Sequence, residues 1–266
     1  MVSQDGAPSI SVSFARDRRV ATVVIDRPER RNALTQDMWQ RLASLFAELG
    51  ANTDVRVVVL KGAGDDFCAG ADIAEFDTVR AEAGSARLYE ADNSAAFAAI
   101  RHCAKPTIAA IRGVCFGGGF GIAAACDLRI ASRTALFSVP AARLGLAYPV
   151  DAMPDIVAAL GPQMAKYLAF SAARIDAPAA LAAGFVLEVV EPAGLDLRAD
   201  ELALAIADNA PLSVQASKAS IRSALSGKEV DGATAVLLGD RTFGSSDYAE
   251  GRAAFREKRR PLFSGT

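Results

Sequence analysis

The chain has 266 residues, of which 52% are hydrophobic, with a formal net charge of −2 and a pI of about 5.6. Its length and apolar content allow a sizeable core, and its charge excludes a general nucleic-acid binder, which needs a basic excess. It begins without the basic and apolar segments of a secretory signal and has no apolar run near the roughly 20 residues that span a bilayer. We therefore expect a cytoplasmic protein that binds neither nucleic acid nor membrane.

The first half of the chain alternates apolar strand-like runs with helical segments. Met38, Leu42 and Leu45 recur at helical spacing and predict a helix over 35–49. Strands are predicted over 9–14, 19–26, 55–61, 107–112, 128–131 and 135–138, and a long helix over 81–101. This alternation favours an α/β fold of stacked strand-turn-helix units.

The second half is predicted to be mostly helical. Gly161 and Gly184 separate short helices, and a last strand is expected over 185–190. The short helices are expected over 154–160, 162–170 and 178–183, and longer ones over 199–209, 213–225, 232–243 and 246–260. We divide the chain into a core, residues 1–195, and a C-terminal helical region, residues 196–266.

The spacing of the four cysteines predicts free thiols rather than ligands of a metal ion. Cys68, Cys103, Cys115 and Cys126 form no Cys-x-x-Cys pair, and His102 is the only histidine. We expect free, mostly buried thiols and no metal site. Cys68 has no adjacent base that would make it a nucleophile.

A glycine run at 117–119 follows an apolar strand-like stretch and opens an alanine-rich helical one. Glycines allow close approach of a ligand to the backbone, and the free N–H groups of a first helical turn favour negative charge. The run therefore predicts an oxyanion site. The alternative is a turn that only packs a strand against a helix.

Three segments in order carry a resemblance to a known family. They are Asp-Arg-Pro-Glu-Arg-Arg-Asn-Ala-Leu at 26–34, Phe-Cys-Ala-Gly-Ala-Asp-Ile at 67–73, and the glycine run. Together they resemble the crotonase superfamily, the enoyl-CoA hydratase/isomerase family, from about residue 10 to the C-terminus. The resemblance implies a crotonase-like spiral core, an acyl-CoA substrate, no permanently bound cofactor, and a helical C-terminal region that forms trimers or hexamers. It also implies an oxyanion hole formed by the N–H groups of Ala71 and Gly118.

The resemblance further implies which residues bind coenzyme A. The terminal segment 246–260 resembles the family's C-terminal motif, in which an aromatic ring and a lysine reach the adenosine and phosphates, sometimes from a neighbouring subunit. The alternative for this segment is a solvated basic helix end. Arg30 either meets phosphate or faces water. The residues implied for coenzyme A are Arg30, Ala33, Ala69, Gly70, Asp72, Ile73, Phe255 and Lys258.

The sequence departs from the family at the usual acid and base. Gly121 and Ala141 stand where the family commonly has two glutamates, and neither can transfer a proton. A positioned acid or base contributes about 10²- to 10⁴-fold, so ordinary hydration is expected to be weak. The loop 144–152 supplies the candidate replacements, Asp151 and Tyr148. The alternatives are a helix cap for Asp151 and a pocket-wall ring for Tyr148.

Three functions stay open on these residues. The first is a hydratase or double-bond isomerase with a non-standard acid or base. The second is decarboxylation of a malonyl-type thioester, in which loss of CO₂ creates the enolate without a base and Arg143 either pairs with the carboxylate or faces solvent. The third is a non-catalytic acyl-CoA-binding protein.

Overall fold

The computed structural model describes residues 9–15, 18–76 and 82–266. The strands are β1 (Ser9–Ala15), β2 (Val20–Asp26), β3 (Val57–Gly62), β4 (Thr107–Ile111), β5 (Val114–Phe116), β6 (Leu128–Ser132), β7 (Leu136–Ser138), β8 (Arg174–Asp176) and β9 (Glu188–Val190). The helices are α1 (Gln36–Ala51), α2 (Ala83–His102), α3 (Gly118–Ala125), α4 (Met153–Ser171), α5 (Ala177–Ala182), α6 (Leu195–Ala207), α7 (Pro211–Ser226), α8 (Glu229–Phe243) and α9 (Ser246–Glu257). The described residues thus form a mixed α/β fold with a helical C-terminal region.

The larger sheet has the strand order β1-β2-β3-β4-β6-β9, and only its β1–β2 pair is antiparallel. The smaller sheet has the order β5-β7-β8. Because β3 and β4 are parallel, the chain leaves both strands at the same edge of the sheet. The segments after these strands lead to residues 71 and 118, which explains how two distant parts of the sequence reach one place.

Helices cover both faces of the larger sheet. Helix α1 begins after Thr35, whose side chain accepts a hydrogen bond from the Met38 N–H, and it buries the predicted apolar stripe. Alternate residues of the strands point to the opposite face, where Val57, Val59 and Ile108 pack with residues of α6. Helix α6 therefore shares a core with the sheet, and the domain boundary at 195 stays a prediction.

Most predicted elements are confirmed, with boundary shifts. The separation of two helices at Gly161 is confirmed, because this residue is non-helical at φ 72° and ψ 160° inside α4. The strand expected over 185–190 is shorter, since Phe185 instead stacks on Phe120 with ring centroids 4.4 Å apart. Strands β5 and β8 were not predicted. Within the described residues, no helix combines the length and apolar content needed to cross a bilayer.

Candidate active site

The loop that follows β3 is held in place by a buried asparagine. Asn32 lies in the left-handed region at φ 57° and is fully buried. Its Nδ2 donates to the carbonyl oxygens of Ala63 and Asp66 at 2.8 and 2.7 Å, and its Oδ1 accepts from the Arg27 N–H at 2.9 Å. The segment 26–34 therefore fixes the loop that ends at residue 71, a role that the sequence did not reveal for Asn32.

The end of this loop pairs with the same segment. The Leu34 N–H donates to the Gly70 carbonyl at 2.8 Å, and Leu34 forms a parallel bridge with Ala71. Asp72 is buried and accepts a 2.6 Å hydrogen bond from Arg27 Nη1. Burial opposes ionisation of Asp72, but hydrogen bonds from Arg27 and the Ala74 N–H and the charge of Arg27 hold its pKa below the usual value.

The glycine run begins α3 and approaches this loop closely. A methyl group on Gly70, which lies at φ 99°, would be 2.9 Å from the Gly118 nitrogen. A methyl group on Gly118 would be 3.6 Å from the Ala71 nitrogen and 2.8 Å from the Trp39 ring, and one on Gly119 would overlap the Cys68 carbonyl. Only glycine allows the two backbones to pack at these distances.

The two backbone donors are available to a ligand. Among the residues that the structure describes, neither the Ala71 N–H nor the Gly118 N–H has an acceptor. Gly118 is the first residue of α3, so its N–H cannot be satisfied within the helix and lies at the positive end of the helix dipole. Two neighbouring free N–H groups of this kind can hold a negatively charged oxygen.

Tyr148 occupies the space next to position 121. A methyl group on Gly121 would lie 2.5 Å from the Tyr148 hydroxyl and 2.8 Å from the Phe97 ring. The Tyr148 hydroxyl donates to the Gly117 carbonyl at 2.8 Å. Burial raises the pKa of this half-buried phenol far above its ordinary value, so it is a neutral donor at physiological pH.

Asp151 is held by the long helix α2. Ser94 Oγ donates to Asp151 Oδ1 at 3.0 Å, and Arg101 donates to the Asp151 carbonyl at 2.9 Å. The helix-cap alternative for Asp151 is wrong, because α4 begins at Met153 without a side-chain cap. Ser94 lies one helical turn from Phe97, which contacts position 121, so Asp151 borders the same region.

The cysteines beside the site are inert as nucleophiles. All four are free and buried, so the prediction of buried thiols is confirmed. Burial raises the pKa of Cys68 to about 12 despite the hydrogen bond from the Gly70 N–H. A thiol with this pKa is almost entirely protonated near neutrality, so Cys68 contributes packing rather than covalent chemistry.

The residues predicted to bind coenzyme A fall into two groups. Within the first group, the Ala69 N–H donates to the Arg31 carbonyl at 2.9 Å, which ties the loop to the segment 26–34. Arg30 and Ile73 are exposed, whereas Asp72 is engaged with Arg27. The structure places the members of this group on these two adjoining segments: Arg30, Ala33, Ala69, Gly70, Asp72 and Ile73.

Phe255 and Lys258 form the second group and lie elsewhere on this chain. Phe255 is 86% exposed and lines a groove of about 590 Å³ with Tyr248 and Arg252, and Lys258 follows α9. The tail beyond α9 is tied to the start of β3 by a 2.7 Å hydrogen bond from Arg56 to the Phe263 carbonyl. The loop that carries Ala71 leaves the opposite end of that strand.

Known proteins of one family are similar to this chain over most of its length. Residues 15–266 match the model of the enoyl-CoA hydratase/isomerase family. A short-chain-enoyl-CoA hydratase of Clostridium acetobutylicum is 36% identical over 94% of this chain and 96% of its own length. A mitochondrial Δ(3,5)-Δ(2,4)-dienoyl-CoA isomerase of Mus musculus is 33% identical over 82% of this chain and 69% of its own length.

A solved structure shares the fold along nearly the whole chain. An enoyl-CoA hydratase/carnithine racemase from Magnetospirillum magneticum superposes with a TM-score of 0.89 at 36% identity, covering 97% of each chain. The predicted crotonase-like α/β fold with a helical C-terminal region is confirmed by this match. The chain belongs to the enoyl-CoA hydratase/isomerase family.

Proposed function

We propose that this protein binds an acyl-CoA thioester with its carbonyl oxygen between the N–H groups of Ala71 and Gly118, and stabilises the enolate that forms from it. The observation that carries this proposal is that two N–H donors, without acceptors among the described residues, lie close together. The segments that carry them pack at a distance that only glycine allows. The relatives' names, an enoyl-CoA hydratase and a dienoyl-CoA isomerase, support the substrate class. Coenzyme A enters as part of the substrate.

Gly118 provides the sharpest test of the oxyanion hole. Both Gly118→Ala and Gly118→Pro introduce a Cβ against Trp39, but only proline removes the N–H. We expect Gly118→Pro to have a kcat/KM about 10²- to 10³-fold below that of Gly118→Ala, the usual cost of losing one such donor. Steady-state kinetics on the best substrate measure this ratio. Equal values for the two variants, with Gly118→Ala retaining measurable turnover, would contradict the assignment of this donor.

For the reaction itself, we propose a hydratase or isomerase that works without the two usual glutamates. Gly121 and Ala141 have no proton-transfer group. Of the two candidate replacements, we propose Asp151 for proton transfer, because the Tyr148 hydroxyl donates its hydrogen to the Gly117 carbonyl. Double-bond isomerisation needs one group that removes a proton from one carbon and returns it to another. It therefore survives the loss of a carboxylate better than hydration, which needs a base for water and an acid for the α-carbon.

The lack of a carboxylate at positions 121 and 141 favours one further reaction. In a malonyl-type thioester the carboxylate carbon leaves as CO₂, the electron pair of the broken bond enters the enolate, and the α-carbon then takes a proton. Glutamates would repel the substrate carboxylate, whereas Gly121, Ala141 and the neutral Tyr148 do not. Arg143 is exposed on the adjoining 3₁₀ turn. Decarboxylation is therefore the second candidate.

A panel of crotonyl-, 3-enoyl-, malonyl- and long-chain acyl-CoA separates these reactions. We expect slow or absent hydration of crotonyl-CoA, and turnover of a 3-enoyl thioester that Asp151→Asn lowers about 10²-fold if Asp151 transfers the proton. The exposed Asp176→Asn serves as the control. Turnover of malonyl-CoA instead identifies the decarboxylase, and binding without turnover favours a non-catalytic protein. Crotonyl-CoA hydration near the diffusional limit would overturn the proposal.

A further inference from the structure

Each of the two candidate donors belongs to a peptide group whose carbonyl is itself hydrogen-bonded. The Ala71 N–H shares a peptide with the Gly70 carbonyl, which accepts from the Leu34 N–H at 2.8 Å. The Gly118 N–H shares a peptide with the Gly117 carbonyl. That carbonyl accepts from the Gly121 N–H at 3.1 Å and from the Tyr148 hydroxyl at 2.8 Å. One peptide is held by backbone alone, the other by backbone and a phenol.

A hydrogen bond to a carbonyl affects the N–H of the same peptide in two ways. It polarises the amide, which makes the N–H a stronger donor, and chains of such bonds reinforce one another. It also resists rotation of the peptide plane. Resistance to this rotation matters because Gly117, at φ 50° and ψ −118°, has no side chain that would restrict the orientation of the Gly117–Gly118 peptide.

We propose that Tyr148 is a positioning residue, whose phenol orients and polarises the Gly117–Gly118 peptide and thereby sets the strength of the Gly118 donor. Glycine at position 121 is what admits the phenol, because any side chain there would overlap the hydroxyl. The hydroxyl hydrogen is directed at the Gly117 carbonyl, so Tyr148 acts through the oxyanion hole rather than by giving its proton to substrate. This inference rests on the proposed function.

The test uses a chromophoric thioester, 4-(dimethylamino)cinnamoyl-CoA, whose visible absorption moves to longer wavelength when its carbonyl is polarised. We expect the wild-type protein to shift the band on binding. We expect Tyr148→Phe to bind with a shift about 10–30% smaller, the range attributed to one cooperative hydrogen bond. Tyr167→Phe, at an exposed tyrosine on α4, is the matched control and should reproduce the wild-type spectrum.

A second variant tests the inference if Tyr148→Phe does not fold or does not bind the chromophoric thioester. Site-specific 3-fluorotyrosine at position 148 keeps the shape and makes the hydroxyl a stronger donor, so the band should move further than in wild type. If the wild-type protein shifts the absorption band and neither substitution at position 148 alters that shift, the inference is overturned and the proposed function stands. A wild-type protein that binds no probe, or binds it without a shift, would overturn the proposed function and the inference with it.

Discussion

At the scale of single residues, the glycine at position 121 determines which side chains can pack beside the start of α3. A glycine there leaves room for the Tyr148 hydroxyl and for the edge of Phe97. Adding a glutamate at 121 would place its first carbon in the space that these groups fill. Placing at this position the carboxylate that the family resemblance implies therefore requires a change at Tyr148 as well.

Gly121→Ala tests this packing. Its added methyl group would lie 2.5 Å from the Tyr148 hydroxyl and 2.8 Å from Phe97, so we expect a loss of about 1–3 kcal/mol in the free energy of unfolding. Tyr148→Phe in the same chain removes the closer contact and should restore part of that loss. Urea unfolding measures both values. Gly239→Ala is the control, because its added methyl meets nothing within 4 Å.

At the scale of elements, an ion pair helps to fix the loop after β3. Arg27 and Asp72 lie 2.6 Å apart with side chains 12% and 10% exposed, and they join the segment 26–34 to the loop that carries Ala71. Removing Asp72 deprives the Arg27 guanidinium of its shorter ion pair and leaves it with Glu29 at 3.6 Å and the Ala33 carbonyl at 3.2 Å. The pair therefore contributes to both the shape of the loop and the stability of the chain.

The Arg27–Asp72 pair predicts that the free energy of unfolding depends on pH. The folded-state pKa of Asp72 lies below its ordinary value. The ionised carboxylate therefore stabilises the fold above the ordinary pKa, and this stabilisation is lost as pH falls through the folded-state pKa. We expect Asp72→Asn to lower the unfolding free energy by about 1–3 kcal/mol at pH 7, the usual cost of losing a hydrogen bond to a charged group, and the difference to shrink below pH 4. Urea titrations from pH 7 to 3 measure it. Glu48→Gln, in an exposed pair, should show little effect, and a pH-independent Asp72→Asn difference would refute the electrostatic account.

At the scale of the whole molecule, the C-terminal helices carry large apolar side chains that no other described part of the chain covers. Leu225 on α7, Leu237 on α8 and Phe243 at the end of α8 are 68%, 64% and 72% exposed. Phe255 and Lys258 likewise lie away from the chain's own candidate site. We propose that these helices join copies of the chain into the trimer or hexamer that the family resemblance implies, with Phe255 and Lys258 serving a neighbouring subunit's coenzyme A.

Leu237→Asp tests the proposed assembly. Burying an unpaired carboxylate in an interface is costly, so we expect this variant to shift the mass measured by light scattering from a trimer or hexamer towards the monomer. Lys228→Glu, on the exposed connection between α7 and α8, is the control for a change of surface charge. A wild-type protein that is monomeric at micromolar concentration would contradict the proposal.

The amino-acid sequence by itself determined the α/β class, most helices and strands, and the segments that carry the candidate site. These features depend on local patterns, such as the apolar stripe of α1 and the glycines at 117–119, which are readable without the fold. It missed the strands β5 and β8, of three residues each, because such short strands are defined by their partners rather than by their own residues.

Only the tertiary structure decided how the site is supported. The buried Asn32, the Arg27–Asp72 pair and the Ser94–Asp151 hydrogen bond each join residues far apart in the sequence. The same is true of Tyr148, which the sequence placed near the site as a candidate acid or base. Its contact with the Gly117 carbonyl depends on how the loop 144–152 folds over α3. Contacts between segments that local patterns do not connect arise only when the whole chain packs, and the chemistry open to Tyr148 depends on such a contact.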